Sequence, residues 1–302
     1  MASFNYKRIL RNRDFILCLG LGLGLLVPQA ANWTEGLTLP ALAVVMTLST
    51  MGVSGRVFRS LGALIGPSLA GLAMNYLVLG GFILGTGLLL VDDPALRDGF
   101  IILASVPPAV AVIPFTDFLG GDRDFSLIGT TGAYLGALGI MPLMALVFFE
   151  AGLVSPLRLM TIVLELIVAP LVASRVLLAA GLAGRIEPYK GAVTNWSFFI
   201  VVYTVVSLNR DLFVHHPLTL VPVAGVAVAS TFVLGLIIER LAPLLGASGQ
   251  RTTSLVLLGT LKNYGLAGGL ALALFDRQTA VPATVSTVFM IVYIIWLGLR
   301  KK

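Results

Sequence analysis

The chain has 302 residues, of which 58% are hydrophobic and only 11% charged, with a mean hydropathy of +0.99. A soluble domain carries about 25% charged residues, so this chain lacks the polar surface to dissolve, and a soluble enzyme is excluded. The single cysteine, Cys18, excludes a disulfide framework, a multi-thiolate metal site and a redox pair.

Long apolar stretches recur from end to end, the signature of membrane-spanning helices. In chain order the sequence predicts ten spans, at 15–31, 37–54, 63–90, 99–121, 124–149, 154–182, 191–208, 217–240, 252–275 and 280–299. The start, with Lys7, Arg8, Arg11 and Arg13 before an apolar run, has the form of a signal peptide. The following segment continues the membrane pattern, so it reads as a retained first span. Connections are short, leaving no room for a soluble domain. The expected fold class is therefore an all-α polytopic membrane protein.

Lys and Arg placement sets the orientation, because positive loops stay in the cytoplasm. With the N-terminus inside, fifteen basic residues fall on the inner side and four on the outer (Arg97, Arg158, Arg210 and Arg277), while Lys262 completes the twenty. Both termini are then cytoplasmic, and a prokaryotic inner membrane is the expected location. The net charge of +6 follows from the same rule and calls for no nucleic-acid partner. Ten spans divide into five plus five, and an odd number per half gives the inverted repeat of many secondary transporters. The repeats are expected over 1–150 and 151–302. Nothing in the sequence fixes an oligomeric state, and a monomer suffices.

Charges within a bilayer cost about 2.5–3.5 kcal/mol each on insertion scales and tend to mark function. Three stand out: Asp117 near the inner end of span four, Glu165 within span six and Lys262 in the middle of span nine. Span four also carries Pro107, Pro108 and Pro114 ahead of Thr116 and Asp117, and span nine carries Lys262-Asn263-Tyr264-Gly265. Adjacent prolines remove two backbone donors, and broken helices survive in a membrane only where neighbours or a cavity satisfy the freed groups. The two spans are fourth in their halves, and interrupted helices in corresponding positions point to a substrate site. The GxxxG spacings Gly81/Gly85 and Gly132/Gly136 read as close helix packing. His215 and His216 lack the partners of a metal site, and no phosphate-binding loop is present. No cofactor or resident metal is expected.

On these residues the chain resembles the bile acid:sodium symporter family, within a larger group that includes arsenite permeases and auxin carriers. Pro107, Thr116, Gly121, Asp122, Ser126 and Thr130 match the family's span-four to span-five pattern without a gap. Asn263, Gly265, Leu266 and Ala267 match its span-nine pattern, and Asn75 falls where the family often places a glutamine. The resemblance implies a panel domain of spans 1, 2, 6 and 7, a core domain of spans 3–5 and 8–10, and unwound spans four and nine that cross in the core. It also implies a small anionic solute bound at the crossover. The departures are specific: Val112-Ile113 replaces a Ser-Asn pair, Leu258 a glutamate, and Lys262 a sodium-binding glutamine. Of the family's sodium-ligand positions only Asn75, Ser126 and Thr130 keep matching residues, whereas a hard cation needs several oxygens. Arsenite transport is disfavoured, because span four has no cysteine.

The leading expectation is thus a secondary transporter of small organic anions. Its candidate substrate- or ion-binding residues are Asn75, Pro108, Thr116, Asp117, Ser126, Thr130, Glu165, Lys262 and Asn263. Sodium dependence is not expected, because Lys262 stands in a sodium ligand's place, and proton coupling stays open. The alternative is a cation/proton antiporter using Asp117, Glu165 and Lys262; an intramembrane enzyme lacks any catalytic constellation. Reporter fusions after Arg97 and Arg210 are expected to report the outer side, and a cytoplasmic signal at either overturns the topology.

Overall fold

A computed structural model describes residues 12–51, 61–109, 111–149, 161 and 164–300. Lys7, Arg8, Arg11, Arg56, Arg59, Arg158, Lys301, Lys302 and the first residues of span six lie outside them. Among the described residues the secondary structure is helical apart from one isolated bridge. Among these residues five helices are long and apolar enough to cross a membrane, or six if a pair bent by 94° between Leu26 and Pro28 counts as one span. Three shorter apolar helices are also present among the described residues.

The chain divides into two compact units, Met1–Gly52 with Thr161–Pro217 and Val53–Met160 with Leu218–Lys302. This division follows the panel and core sets that the resemblance implies. In the first unit, α1 (Arg13–Leu26), α2 (Ala31–Glu35) and α3 (Thr38–Thr50) lead to a π-helical turn at Leu164–Val168 and α9 (Ala169–Ala179). Then come α10 (Ala183–Leu208) and α11 (Arg210–His215). Helix α10 packs on α1, α2 and α3. Gly20 and Gly24 make the first contact possible, since a Cβ on Gly24 would lie 2.9 Å from Val206. Where α1 stops, Arg210 Nε donates to the Leu25 carbonyl at 2.7 Å and the Tyr203 hydroxyl to that of Val27 at 2.6 Å. Arg175 meets the Thr50 carbonyl at the end of α3 in the same way. Cations at helix C-termini satisfy carbonyls that no longer have a backbone partner and oppose the dipole.

The second unit begins with α4 (Leu61–Leu72), a π-helical stretch at Ala73–Gly80 and α5 (Gly81–Leu90). The broken span-four segment follows as α6 (Pro94–Ser105) and α7 (Val112–Phe118), then α8 (Arg123–Phe148). After Pro217 come α12 (Leu220–Val228), a π-helical stretch at Ala229–Val233 and α13 (Leu234–Leu244). The span-nine segment is broken into α14 (Gly249–Leu258) and α15 (Tyr264–Leu274), and α16 (Val281–Arg300) follows. Helix α4 lies along α8, and glycine sets the spacing: a Cβ on Gly71 would fall 2.1 Å from the Gly129 carbonyl oxygen. The two GxxxG matches separate here. Gly132 and Gly136 press against Ser68 and Leu72, whereas nothing lies within 4 Å of a Cβ on Gly81 or Gly85.

Charge is segregated along this unit. Asp122 pairs with Arg251 at 3.6 Å and Glu239 with Arg300 at 3.0 Å, and Leu119, Glu239, Thr252 and Leu297 border one pocket, so these groups share one end. Overpacking by a side chain that cannot shift costs about 1–3 kcal/mol. Gly132→Leu is therefore expected to lower the melting temperature of the detergent-solubilised protein sharply, while Gly85→Leu leaves it within error; equal effects contradict the packing assignment.

Candidate functional site

The site is built where two helices fail at the same place. Pro107 and Pro108 lack backbone donors, and a proline pushes its predecessor out of helical geometry. Helix α6 accordingly ends at Ser105, with Val106 extended at φ −71°, ψ 155°. Helix α14 ends at Leu258, and α15 restarts behind Asn263, whose Oδ1 accepts from the Leu266 N–H at 3.1 Å, as an N-cap should.

The two breaks satisfy each other. Pro108 and Lys262 form an antiparallel bridge: the Ala109 N–H donates to the Leu261 carbonyl at 3.1 Å and the Asn263 N–H to that of Pro107 at 3.0 Å. Helix α6 packs against α15, and α7 against α14. Each half-helix thus meets a half from the other break, with two N-termini and two C-termini converging on the bridge.

Lys262 is fully buried. Its Nζ donates to the carbonyls of Ala104 at 2.7 Å and Val106 at 2.8 Å and lies 4.8 Å from the centre of the Tyr76 ring. The ammonium therefore closes the C-terminal end of α6, on the side where the helix dipole is negative, with an aromatic face as its third neighbour. Asn75, on the π-helical stretch, donates from Nδ2 to the same Val106 carbonyl at 3.2 Å, while its Oδ1 is buried without a hydrogen-bond partner. Gly80 admits this approach: a Cβ there would stand 3.0 Å from the Ala104 oxygen and 3.6 Å from Nζ.

The other expected residues divide into two groups. Thr116 and Ser126 are both buried and come together, their hydroxyls 2.8 Å apart. Thr130 is also buried on α8, and its hydroxyl has no partner. Asn263 Nδ2 donates to the Tyr134 hydroxyl at 3.1 Å, which ties the second break to α8. Asp117 is not brought to Lys262; it is exposed and pairs with Arg123 at 3.4 Å. Glu165 is exposed on the π-helical turn of the first unit. His215 Nδ1 lies 2.8 Å from Asp211 Oδ1, and among the described residues no cluster suited to a metal is found.

Three contributors went unremarked in the sequence. Tyr76 and Tyr134 are polar aromatics within apolar spans, and that placement was their only signal. Ser254 is the third: its Oγ lies 3.0 Å from the Asp122 nitrogen and 2.9 Å from the Asp122 oxygen, stapling the turn before α8 to α14. That turn passes through Gly120 at φ +69°, a conformation glycine adopts without strain.

These broken, mutually bridged segments lie in a chain whose residues 39–216 match the Sodium Bile acid symporter family. The chain belongs to that family. No curated protein matches it. As a member of the sodium bile acid symporter family it is a secondary transporter, sodium-coupled or related, and a multi-pass membrane protein whose partners are a solute and the bilayer. The family's members are transporters and not enzymes.

Removing one partner of a buried hydrogen-bonded pair costs about 1–3 kcal/mol, and more when the group is charged. Lys262→Met strips two carbonyls of their donor and is expected to lower the melting temperature in detergent by several degrees. An unchanged melting curve shows that the ammonium is not needed to hold the break.

Proposed function

We propose that the chain carries small organic anions by alternating access, with Lys262 serving as a built-in cation in place of a coupling sodium ion. The single observation that carries this reading is the ammonium on the carbonyls of Ala104 and Val106. An ion there would need those oxygens as ligands, because hard cations are held by several oxygens at once, and the ammonium already uses them. The substituted positions agree: Leu258 is apolar and fully buried, and so is Val112. Asn75, Pro108, Lys262 and Asn263 form the centre of the proposed site, and Thr116, Ser126 and Thr130 are its polar flank on α7 and α8. The N-terminus of α15 at the bridge supplies the positive end of a helix dipole, which suits an anionic solute.

The reading extends to the whole chain: ten spans, both termini in the cytoplasm of a prokaryotic cell, and inverted repeats over 1–150 and 151–302. One correspondence supports the repeat. The shift that carries Pro108 onto Lys262 carries Asn75 onto Ala229, the first residue of the second π-helical stretch. Both π-helical stretches therefore occupy the same place in their halves. Glu165 is assigned a substrate- or proton-contact role in the first unit, since an idle carboxylate at that depth is costly. Asp117 is assigned to the flank through its pair with Arg123.

One observation favours the opposite reading, a residual sodium site: Asn75 Oδ1 and Thr130 Oγ1 are buried oxygens without partners. The cation/proton antiporter reading draws less support, since Asp117 and Lys262 bind different partners. Uptake of organic anions by proteoliposomes with sodium replaced by choline decides between these readings. Wild-type uptake is expected to persist, and Lys262→Gln to fail or become sodium-dependent; collapse of wild-type uptake without sodium overturns the built-in cation. In the same assay Glu165→Gln is expected to reduce uptake at least tenfold or to remove its pH dependence, and an unchanged profile makes Glu165 a structural group.

A further inference from the structure

Lys262 is fully buried, and its Nζ meets two carbonyl oxygens and the face of Tyr76. Two acceptors suit a neutral amine, which has two N–H bonds to donate. They suit an ammonium as well, with the ring face left for its third N–H. The site therefore holds this side chain in either charge state without moving it. What it lacks is an opposite charge. Among the described residues Lys262 forms no ion pair: Asp117 engages Arg123, Asp122 engages Arg251, and Glu239 engages Arg300. On the helices that meet at the break, Asp98 stands toward the start of α6 and Asp124 at the start of α8. The titratable groups beside Lys262 are Tyr76, Tyr264 and, through Asn263, Tyr134, and tyrosine hydroxyls stay neutral at physiological pH.

An anion bound against Lys262 supplies the missing charge. A buried ammonium is costly while nothing offsets it and is stabilised once an anion faces it. Binding of the anion and binding of the proton therefore favour each other, by the same factor in both directions. We infer that Lys262 carries a proton together with the anion, as a neutral amine in the empty site and an ammonium in the loaded one, which makes the chain a proton–anion symporter. On loading, the Nζ lone pair takes a proton from water on one side and a third N–H bond forms. On release that bond breaks, and the proton passes to water on the other side. Both the empty site and the site holding a monoanion with its proton are then uncharged, so neither passage moves charge through the membrane field. This assignment rests on the reading of Lys262 as the cation of the loaded site and adds where its charge comes from, so the two can fail separately.

The first measurement needs no solute. The purified full chain is melted in detergent between about pH 6 and pH 9 as wild type and as Lys262→Gln, with Lys262→Met as a second variant. A lysine that is neutral when folded and protonated when unfolded takes up one proton on unfolding. It therefore adds stability as pH rises, by up to about tenfold in the folding equilibrium per pH unit. The stability of wild type relative to either variant is expected to climb with pH. A difference that stays flat means that Lys262 keeps its proton throughout, and overturns the proposal. The second measurement uses the full chain in liposomes holding a trapped pH-sensitive dye, in choline buffer, with taurocholate as the probe. Its sulfonate stays ionised, so no proton crosses on the solute itself. Uptake is expected to acidify the lumen and to be unaffected by an imposed membrane potential. Uptake without acidification, or acidification undiminished in Lys262→Gln, overturns the proposal. If uptake requires external sodium, the replacement of sodium by Lys262 fails, while the melting comparison and the dye still report on the proton.

Discussion

A helix that stops inside a packed core leaves carbonyls that water cannot reach, and the second unit has two such helices stopping against each other. The carbonyl end of α6 is met by the ammonium of Lys262 and the amide of Asn75. The remaining backbone groups of the two breaks are met by each other. Neither break is tenable alone, because each supplies the donors or acceptors that the other lacks. The same solution recurs at lower stakes in the first unit, where Arg175 and Arg210 close the ends of α3 and α1. What sets Lys262 apart is its depth and the absence of a carboxylate partner among the described residues.

The packing around the break serves this arrangement. Gly80 keeps the π-helical stretch close enough for Asn75 and Tyr76 to reach Val106 and Lys262. Asn263 caps α15 and holds Tyr134 on α8, while Ser254 fixes the turn at Asp122. A π-helical stretch carrying a buried polar residue is common at functional positions, and here it turns Asn75 inward. The tight contacts of Gly71, Gly129 and Gly132 bind α4 and α8 into one frame. The site's geometry is thus held by small residues and backbone bonds more than by paired charges.

Much of this was legible in the sequence for physical reasons. Proline removes donors wherever it stands, so Pro107-Pro108 announced the break, and Lys262-Asn263 announced its counterpart because charge is rare at that depth. The π-helical stretches were not legible, since one extra residue per turn changes no residue type. Nor was Tyr76 as the third neighbour of Lys262, because a tyrosine in an apolar span reads as packing. Asp117 and Lys262 each stand out as an intramembrane charge, yet no residue pattern sets the register between α7 and the far end of α6. The structure assigns Asp117 to the exposed Arg123. GxxxG spacing could not tell Gly132 from Gly85, because the motif does not say which helix face has a neighbour.

Lys262 is proposed to occupy the place of a coupling cation, and ion binding tests this without any knowledge of the solute. A ligand that binds the native state alone raises its stability with concentration. The measurement is the melting temperature of the purified chain in detergent, in sodium chloride and in choline chloride at equal ionic strength, for wild type and Lys262→Gln. Identical curves are expected for the wild type, with a sodium-dependent rise only where the lysine is gone. A rise with sodium in the wild type would contradict it.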